Sequence, residues 1–458
     1  MRRAIEEAHP GLYRYHSRDS VSRWFDAAEA RLTHPMTELQ FQRAVEPAVD
    51  RIGCGHTDLY GSKAYVKYRK KHPQRPFPVD AFVVANKLYI NKIAGVDTTH
   101  LRGSELLTIN GRPTGTLLSQ LYQYISSDGY NQTFKPFVLN NGMLHAYYAL
   151  AIGPDSTTQQ FTLRDSTGKI QSLTFLSLPQ AKPIKTNIDS VAKEVIPASR
   201  PRKPKPHLPE AKEEELRTLT FPVRDSSVAV LKVKSFSGGG QRAFFRRSFR
   251  AIARHKTVEN LVVDVRGNLG GNSTTSIRLA SYLIDKPFRA YSQVDAPVRQ
   301  VSFNRYLGWK FMRFWIRNFF TYKTPEGTFR RKGVTGLTKP MAKNGFRGQV
   351  FVLTNGGTFS AASIFASLVK HNAARVTVVG RETGGGAYGC NAFTSPYMTL
   401  PETGVQLRLP LYKIVLAIPG TDQGRGVIPD VPVAYTASDI LNARDLDIEK
   451  VYELVREK

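Results

Sequence analysis

The sequence has little cysteine and no long apolar run. Only two cysteines, Cys54 and Cys390, occur among its 458 residues, so at most one internal disulfide can form. No apolar segment approaches the ~20 residues that a membrane-spanning helix needs. The N-terminus, MRRAIEEAHPGLYRY, lacks the apolar core of a signal peptide. The sequence therefore predicts a chain that does not span a membrane.

Acidic residues are also scarce relative to basic ones. The chain holds 65 Lys and Arg against 37 Asp and Glu, which gives a formal net charge of +28. Such a charge often indicates nucleic-acid binding. Here it is dispersed, and no zinc-finger spacing, RNP-type aromatic motif or helix-turn-helix pattern accompanies it. We therefore expect no nucleic-acid partner, and interpret the charge as a basic surface that attracts anionic membranes or acidic substrates.

The composition supports globular domains, because 41% of the 458 residues are hydrophobic. The pattern predicts a mixed α/β, multidomain fold. We expect a helical N-terminal region at residues 1–77, which carries the motif IGCGHT, and a β-rich module at 78–178. A linker rich in Pro, Lys and Glu follows at 179–217. Residues 218–458 then form a core in which strands alternate with helices.

Ser360 occupies a sharp corner between a predicted strand and a predicted helix. The apolar run Gln349–Leu353 is typical of a buried strand, the glycines after it break that strand, and apolar residues at helical spacing begin at Ala361. Free backbone N–H groups at a helix N-terminus favour developing negative charge. Ser360 is therefore a candidate nucleophile. The alternative is that its side chain caps the helix.

A glycine-rich turn follows another predicted strand in the segment NLVVDVRGNLGGN, residues 260–272. The backbone N–H of Gly270 or Gly271 would form one half of an oxyanion hole, and the N–H of Ala361 would form the other half. The alternatives are a phosphate-binding turn or an ordinary tight corner. Because the P-loop lysine is missing, we expect no nucleotide.

His56 and Asp422 complete the set of candidates. His56 lies in IGCGHT on a glycine-bracketed loop, from which an imidazole can reach a serine far away in sequence. Asp422 lies in the turn-rich segment GTDQGRGVIPDVPV and would orient that imidazole. The alternatives are that His56 is an ordinary core or surface histidine, and that Asp422 and Asp430 are ordinary turn aspartates.

Four segments, DVRGNLGG, TNGGTFSAAS, VVGRETGGG and GRGVIPD, occur in this order between Thr218 and Thr436. Together they resemble the catalytic domain of the tail-specific, or C-terminal processing, serine peptidases. The upstream IGCGHT resembles the histidine-using branch of that family, which includes the tricorn protease core. The resemblance implies a crotonase-like core, in which a sheet is covered by helices.

By this resemblance, Ser360 is the nucleophile and His56 is the general base. The oxyanion hole is formed by the backbone N–H groups of Ala361 and of Gly270 or Gly271. The implied activity is that of a serine endopeptidase acting on peptides or unfolded protein tails, without a metal or another cofactor.

Two departures from the family pattern bear on catalysis. Where serine–lysine members have a lysine after VVG, this chain has Gly386, so it is either histidine-dependent or an inactive, peptide-binding scaffold. Tricorn-like members carry a hydroxyl residue before the histidine and a glutamate late in the chain, where this chain has Gly55 and the pair Asp422 and Gln423. We assign Asp422 as the third catalytic residue, with Glu382 as its competitor.

Further expectations also come from resemblance. The segment GSELLTINGRP, residues 103–113, resembles the strand and turn of PDZ domains, which implies a peptide-presenting module; a purely structural β-module is the alternative.

Residues 4–13 resemble the start of mature envelope members. That implies a bacterial periplasmic protein or outer-membrane lipoprotein without its export signal, with peripheral or lipid-anchored membrane association. Cys54 and Cys390 have two possible states, a disulfide between them or two buried free thiols.

Overall fold

The structure is a computed structural model that describes residues 1–72, 77–93, 99–153, 158–176, 216–307, 319–420 and 424–457. Its helices and sheets are mixed along the chain, which confirms the predicted α/β fold class. Most of the predicted linker, residues 179–215, lies outside the described residues, as do Asp422 and Gln423. The predicted domain boundaries stay predictions.

The chain begins with short amphipathic helices that lead to the IGCGHT motif. A capping box between Thr37 and Gln40 starts the third helix, and its apolar residues, among them Val45 and Val49, are buried. The motif follows this helix directly and is itself followed by a strand. These elements are α1 (Arg2–Ala8), α2 (Arg18–Glu29), α3 (Glu38–Asp50), β1 (Asp58–Tyr60) and α4 (Lys63–Lys71).

An antiparallel sheet with helices packed on it forms the next module. The strand order is β2-β3-β4-β6-β7, with β5 paired to β4, and the module has its own hydrophobic core around Leu106, Leu118 and Phe161. Its identity as a PDZ-like domain stays a prediction. The strands are β2 (Val79–Val84), β3 (Lys87–Ile93), β4 (Glu105–Ile109), β5 (Arg112–Pro113), β6 (Thr158–Arg164) and β7 (Ile170–Leu176). The helices are α5 (Thr114–Tyr122), α6 (Phe134–Val138) and α7 (Leu144–Ala151), with a 3-10 turn at Thr99–Leu101 and a π-helical turn at Leu139–Met143.

The rest of the described chain alternates strands and helices, as the sequence predicted. Its strands are β8 (Arg217–Thr220), β9 (Val228–Val233), β10 (Asn260–Asp264), β11 (Phe288–Arg289), β12 (Tyr291–Ala296), β13 (Thr321–Lys323), β14 (Phe329–Arg331), β15 (Leu337–Thr338), β16 (Gln349–Thr354), β17 (Val376–Gly380), β18 (Gly389–Ala392), β19 (Tyr397–Thr399), β20 (Gln406–Arg408), β21 (Tyr412–Leu416) and β22 (Val431–Pro432). Its helices are α8 (Gln241–Arg254), α9 (Ser273–Leu283), α10 (Ala361–Asn372), α11 (Ala437–Leu441) and α12 (Leu446–Arg456), with a 3-10 turn at Asn304–Tyr306.

A mostly parallel sheet forms the centre of this region, with the strand order β22-β17-β16-β10-β9-β8 among the described residues. Only the β8–β9 pair is antiparallel. In its middle, Val262 pairs with Val230 on one side and Phe351 on the other. Near-continuous apolar strands are expected where helices cover both faces of a parallel sheet. The ends of β10 and β16 lie side by side, so the glycine turn after β10 and the turn before Ser360 meet.

The N-terminal helices share one hydrophobic core with the central sheet. Buried residues of α1 to α3, such as Ile5, Phe25 and Val49, belong to the same core cluster as Val263 and Phe365. Strand β1 also pairs with β20, in an antiparallel sheet of order β1-β20-β19. The loop between α3 and β1 is therefore held at both ends against the C-terminal half of the chain.

Phe365→Ala tests the packing of the helix that begins after Ser360. Phe365 is fully buried, and its ring centroid lies 6.2 Å from that of Phe236. Loss of this side chain should lower the free energy of unfolding by about 3–5 kcal/mol, since a cavity replaces the ring. Urea denaturation followed by circular dichroism measures the change. The control is Val223→Ala at an exposed position, whose free energy of unfolding should stay within about 0.5 kcal/mol of the wild-type value. An equal loss in both variants would contradict the assignment of Phe365 to the hydrophobic core.

Candidate active site

Ser360 lies on a strained turn between β16 and α10. Its backbone has φ 55° and ψ −121°, a region that non-glycine residues seldom adopt. Strained strand-to-helix turns of this kind hold the nucleophilic serine in α/β-hydrolases. The Ser360 side chain makes no capping bond to the helix. The interpretation of Ser360 as a side-chain cap is therefore wrong.

Hydrogen bonds tie this turn to the glycine-rich turn after β10. The Thr358 hydroxyl donates to the carbonyl of Val265 over 2.9 Å, and the Phe359 N–H donates to the carbonyl of Asn268 over 3.0 Å. The Asn355 side-chain oxygen accepts the N–H of Gly267 over 2.9 Å. The strained backbone at Ser360 is thus held by contacts on either side.

His56 lies next to Ser360 in the structure. Its Nε2 is 3.0 Å from Ser360 Oγ, although 304 residues separate the two along the chain. The ring is almost fully buried and stacks on Phe359, with centroids 4.8 Å apart and planes inclined by 26°. The imidazole is therefore held both by its loop and by the residue that precedes Ser360.

Burial lowers the pKa of His56 well below its ordinary value, and the positive charge of Arg408 lowers it further. The ring is thus neutral near pH 7, and a neutral imidazole can accept a proton at Nε2. Among the described residues, His56 Nδ1 has no hydrogen-bond partner.

The competing acid, Glu382, does not contact the imidazole. Its carboxylate binds Arg425 through hydrogen bonds of 3.0 and 2.6 Å, and it accepts the N–H of Gly426 over 2.7 Å and the Asn131 amide over 3.2 Å. The structure therefore assigns the buried Glu382 to an ion pair with the partly exposed Arg425, which joins two loops. Asp422, our assigned third residue, lies outside the described residues.

The two candidate oxyanion glycines differ in their hydrogen bonds. The Gly270 N–H donates to the Asn268 side chain over 2.9 Å. In the described structure, the N–H groups of Gly271 and Ala361 have no acceptor. Both glycines have positive φ, and a Cβ on Gly270 would lie 2.7 Å from the Cβ of Ser360. A side chain at position 270 would therefore displace the serine.

Asp128, which no sequence pattern indicated as part of the site, joins its loops. Its carboxylate accepts the N–H of Gly55 over 2.9 Å and that of Gly386 over 3.3 Å. Burial raises the pKa of Asp128 to about 6, and these two N–H groups oppose the rise. The Asp-Gly pair at positions 128 and 129 signals a turn, but no local pattern indicates that the turn braces the loop of His56.

These residues border one large cavity. The cavity has a volume of about 1110 Å³ and is lined by Ser360, His56, Gly270, Gly271 and Ala361, among others. It can accept an extended ligand beside the Ser360 hydroxyl. Over the described ranges, no group of three or more His, Cys, Asp or Glu side chains is arranged to hold a metal ion.

Both cysteines are buried free thiols in the structure. Burial raises the pKa of Cys54 to about 11, and it also raises the pKa of Cys390. Thiols in this state are poor nucleophiles near neutral pH. Of the two alternatives for this pair, the structure therefore has the free thiols.

Residues 227–433 match the family model for peptidase family S41. Among solved structures, mature CPAF complexed with lactacystin is similar over 99% of this chain and 96% of that chain, with 15% identity and a TM-score of 0.63. A second structure of mature CPAF covers 95% of this chain and 92% of its own, with 15% identity and a TM-score of 0.59. The photosystem II D1 C-terminal processing protease covers 94% and 91%, with 15% identity and a TM-score of 0.40. No curated protein matches the sequence.

The family match defines a serine-type peptidase, a hydrolase of peptide bonds. Residues 227–433 of the chain carry the match to peptidase family S41, the tail-specific peptidases. The predicted family and enzyme class are confirmed, whereas the roles of individual site residues stay predictions. In the part of the chain that the structure covers, no helix combines the length and apolar character needed to cross a bilayer.

A thiol titration tests the state of the cysteines. Without reductant, native protein at pH 7.5 should react very slowly with a disulfide reagent such as Ellman's, because both thiols are buried and Cys54 has a raised pKa. Two thiols per chain should react after unfolding in guanidinium. A count of zero in denaturant, rising to two after reduction, would instead demonstrate a disulfide.

Proposed function

We propose that this peptidase is a histidine-dependent serine endopeptidase that cleaves peptides or unfolded protein tails. Ser360 attacks the scissile carbonyl, while His56 takes the serine proton and later returns it to the leaving amine. The observation that carries this proposal is the 3.0 Å separation of His56 Nε2 and Ser360 Oγ at the edge of a large cavity. Gly386, where serine–lysine members have their base, has no side chain to compete for this role.

The oxyanion of the tetrahedral intermediate is stabilised by the N–H groups of Gly271 and Ala361. Both groups are free of acceptors among the described residues and border the cavity beside Ser360. Gly270 is the weaker candidate, because its N–H is already donated to Asn268. Preorganised N–H groups of this kind stabilise the charge that develops in the transition state. Gly270 instead leaves room for Ser360.

The third catalytic residue of the proposal remains Asp422. Two observations support a residue beyond Glu382: the Glu382 carboxylate is engaged with Arg425, and His56 Nδ1 has no acceptor in the described part of the chain. A carboxylate at that nitrogen would orient the ring and stabilise the imidazolium that forms during catalysis.

Two finer proposals rest on sequence resemblance. The predicted module at residues 78–178 would present peptide to the cavity in the manner of a PDZ domain, and the protein would act in the bacterial cell envelope. The direct measurements are peptide binding by the isolated module and fractionation of the producing cells. Binding by no peptide, or a purely cytosolic location, would end the respective proposal.

Ser360→Ala should lower peptide hydrolysis by about 10⁴-fold or more, since the attacking hydroxyl is lost. A fluorophosphonate probe should label the wild type and not this variant. The exposed Ser119→Ala serves as the control and should label normally.

His56→Ala should slow peptide hydrolysis as much as Ser360→Ala does, and the double variant should be no slower, because the two residues act as a unit. Failure of the wild type to label at any pH would instead support an inactive, peptide-binding scaffold.

The pH dependence of kcat/KM tests the state of His56. A general base must be neutral, and burial holds the pKa of His56 well below its ordinary value of 6.5. Activity on an uncharged peptide should therefore persist below pH 6.5 and fall only on further acidification. Because burial raises the pKa of Asp128 to about 6, Asp128→Asn is the control that removes this second titrating group. If kcat/KM fell to half of its plateau at or above pH 6.5 in both the wild type and Asp128→Asn, the buried environment assigned to His56 would be contradicted.

A further inference from the structure

Carboxyl groups gather at the end of the cavity that α3 and β1 form. Glu46 and Asp50 lie one helical turn apart on α3, and Asp58 begins β1, two residues after His56. Glu46 and Asp58 both line the cavity that contains Ser360 and His56. Tyr147 and Ile125 line it as well.

The carboxyl groups are unequally paired. Asp50 accepts two hydrogen bonds of 2.9 Å from Lys135, and Asp58 lies 3.9 Å from an Arg408 nitrogen. Glu46 is only 8% exposed, yet no described residue donates a hydrogen bond to its carboxylate or forms an ion pair with it. Two cations are thus available for three carboxylates. Glu46 is the carboxylate without a cation, and it lines the cavity.

Burial raises the pKa of Glu46 well above its ordinary value, and the negative charges of Asp58 and Asp50 raise it further. A buried carboxylate is normally paired, because removal from water without a partner is unfavourable. A cationic group entering the cavity would supply that partner. The apolar surfaces of Tyr147 and Ile125 would contact an aliphatic stem, as they can for the long side chains of lysine and arginine.

We propose that Glu46 is a specificity-determining residue, and that the acidic subsite formed by Glu46, Asp58 and Tyr147 binds a lysine or arginine side chain of the substrate. This inference rests on the proposed function, because it assigns the subsite to the peptide that Ser360 cleaves. Charge complementarity favours one cation, since one carboxylate lacks a partner. Selectivity arises because only a cationic side chain would stabilise the ionised form of Glu46, which a neutral side chain cannot do.

Binding to the full-length Ser360→Ala variant tests the subsite without requiring turnover. The probes are positional-scanning octapeptides in which one position at a time is lysine, norleucine or glutamate. At one position, lysine should bind at least about 10-fold more tightly than norleucine, and glutamate should bind more weakly than both. Equal affinity for lysine and norleucine at every position would overturn the proposal.

Glu46→Gln, introduced into the same variant, should reduce the lysine preference to about 2-fold or less while norleucine peptides bind as before. The control is Glu402→Gln, which removes an exposed carboxylate outside the cavity and should keep the full preference. Thermal unfolding checks that Glu46→Gln folds, and loss of norleucine binding would separate a damaged cavity from a lost charge. An undiminished lysine preference in folded Glu46→Gln would refute the role of Glu46.

Cleavage assays separate this inference from the proposed function. If the wild type cleaves peptides at equal rates with lysine or norleucine at every position, the subsite proposal fails and the peptidase proposal stands. If Ser360→Ala shows the Glu46-dependent preference but the wild type cleaves none of the peptides, the subsite stands as a binding site and the catalytic proposal fails.

Discussion

The contact between His56 and Ser360 depends on how the first 60 residues pack against the C-terminal half of the chain. Helices α1 to α3 contribute to the same hydrophobic core as α10, and β1 extends a sheet with β20. Asp128 adds a third constraint, because its carboxylate holds Gly55 and Gly386 at once. Without these contacts the 3.0 Å approach of the two side chains would have no support. Burial of apolar surface supplies most of that support, and the polar ties determine its geometry.

Charged groups near the cavity follow a consistent pattern. Glu382 with Arg425, and Asp50 with Lys135, are partly buried ion pairs that join separate segments of the chain. Glu46, which lines the cavity together with Asp58, is the exception, because it has no ion-pair partner among the described residues. An ion pair within the protein holds two segments of the chain together, whereas an unpaired carboxylate in a cavity favours a positively charged ligand. The distinction separates residues that hold the site together from residues that select what enters it.

Several features were predictable because they depend on local pattern. The strand, glycine break and helix around Ser360 follow from apolar spacing over about 20 residues, and the structure has them as β16, a turn and α10. The mixed α/β class follows from the same alternation. Other features were not predictable. Both Gly270 and Gly271 fit the pattern of an oxyanion turn, and only the hydrogen bond from Gly270 to Asn268 distinguishes them. Glu382 likewise has no sequence signal that it pairs with Arg425.

The sequence by itself determined the family, the corner that carries Ser360 and the loop that carries His56, because turn chemistry and periodicity act between near neighbours. The tertiary structure alone decided the neighbours of these residues. It brought an imidazole and a hydroxyl together across 304 positions, assigned Asp128 to brace the loops, and left Glu46 unpaired among the described residues at the cavity wall. Such contacts depend on the packing of the whole core, for which no short segment carries a pattern.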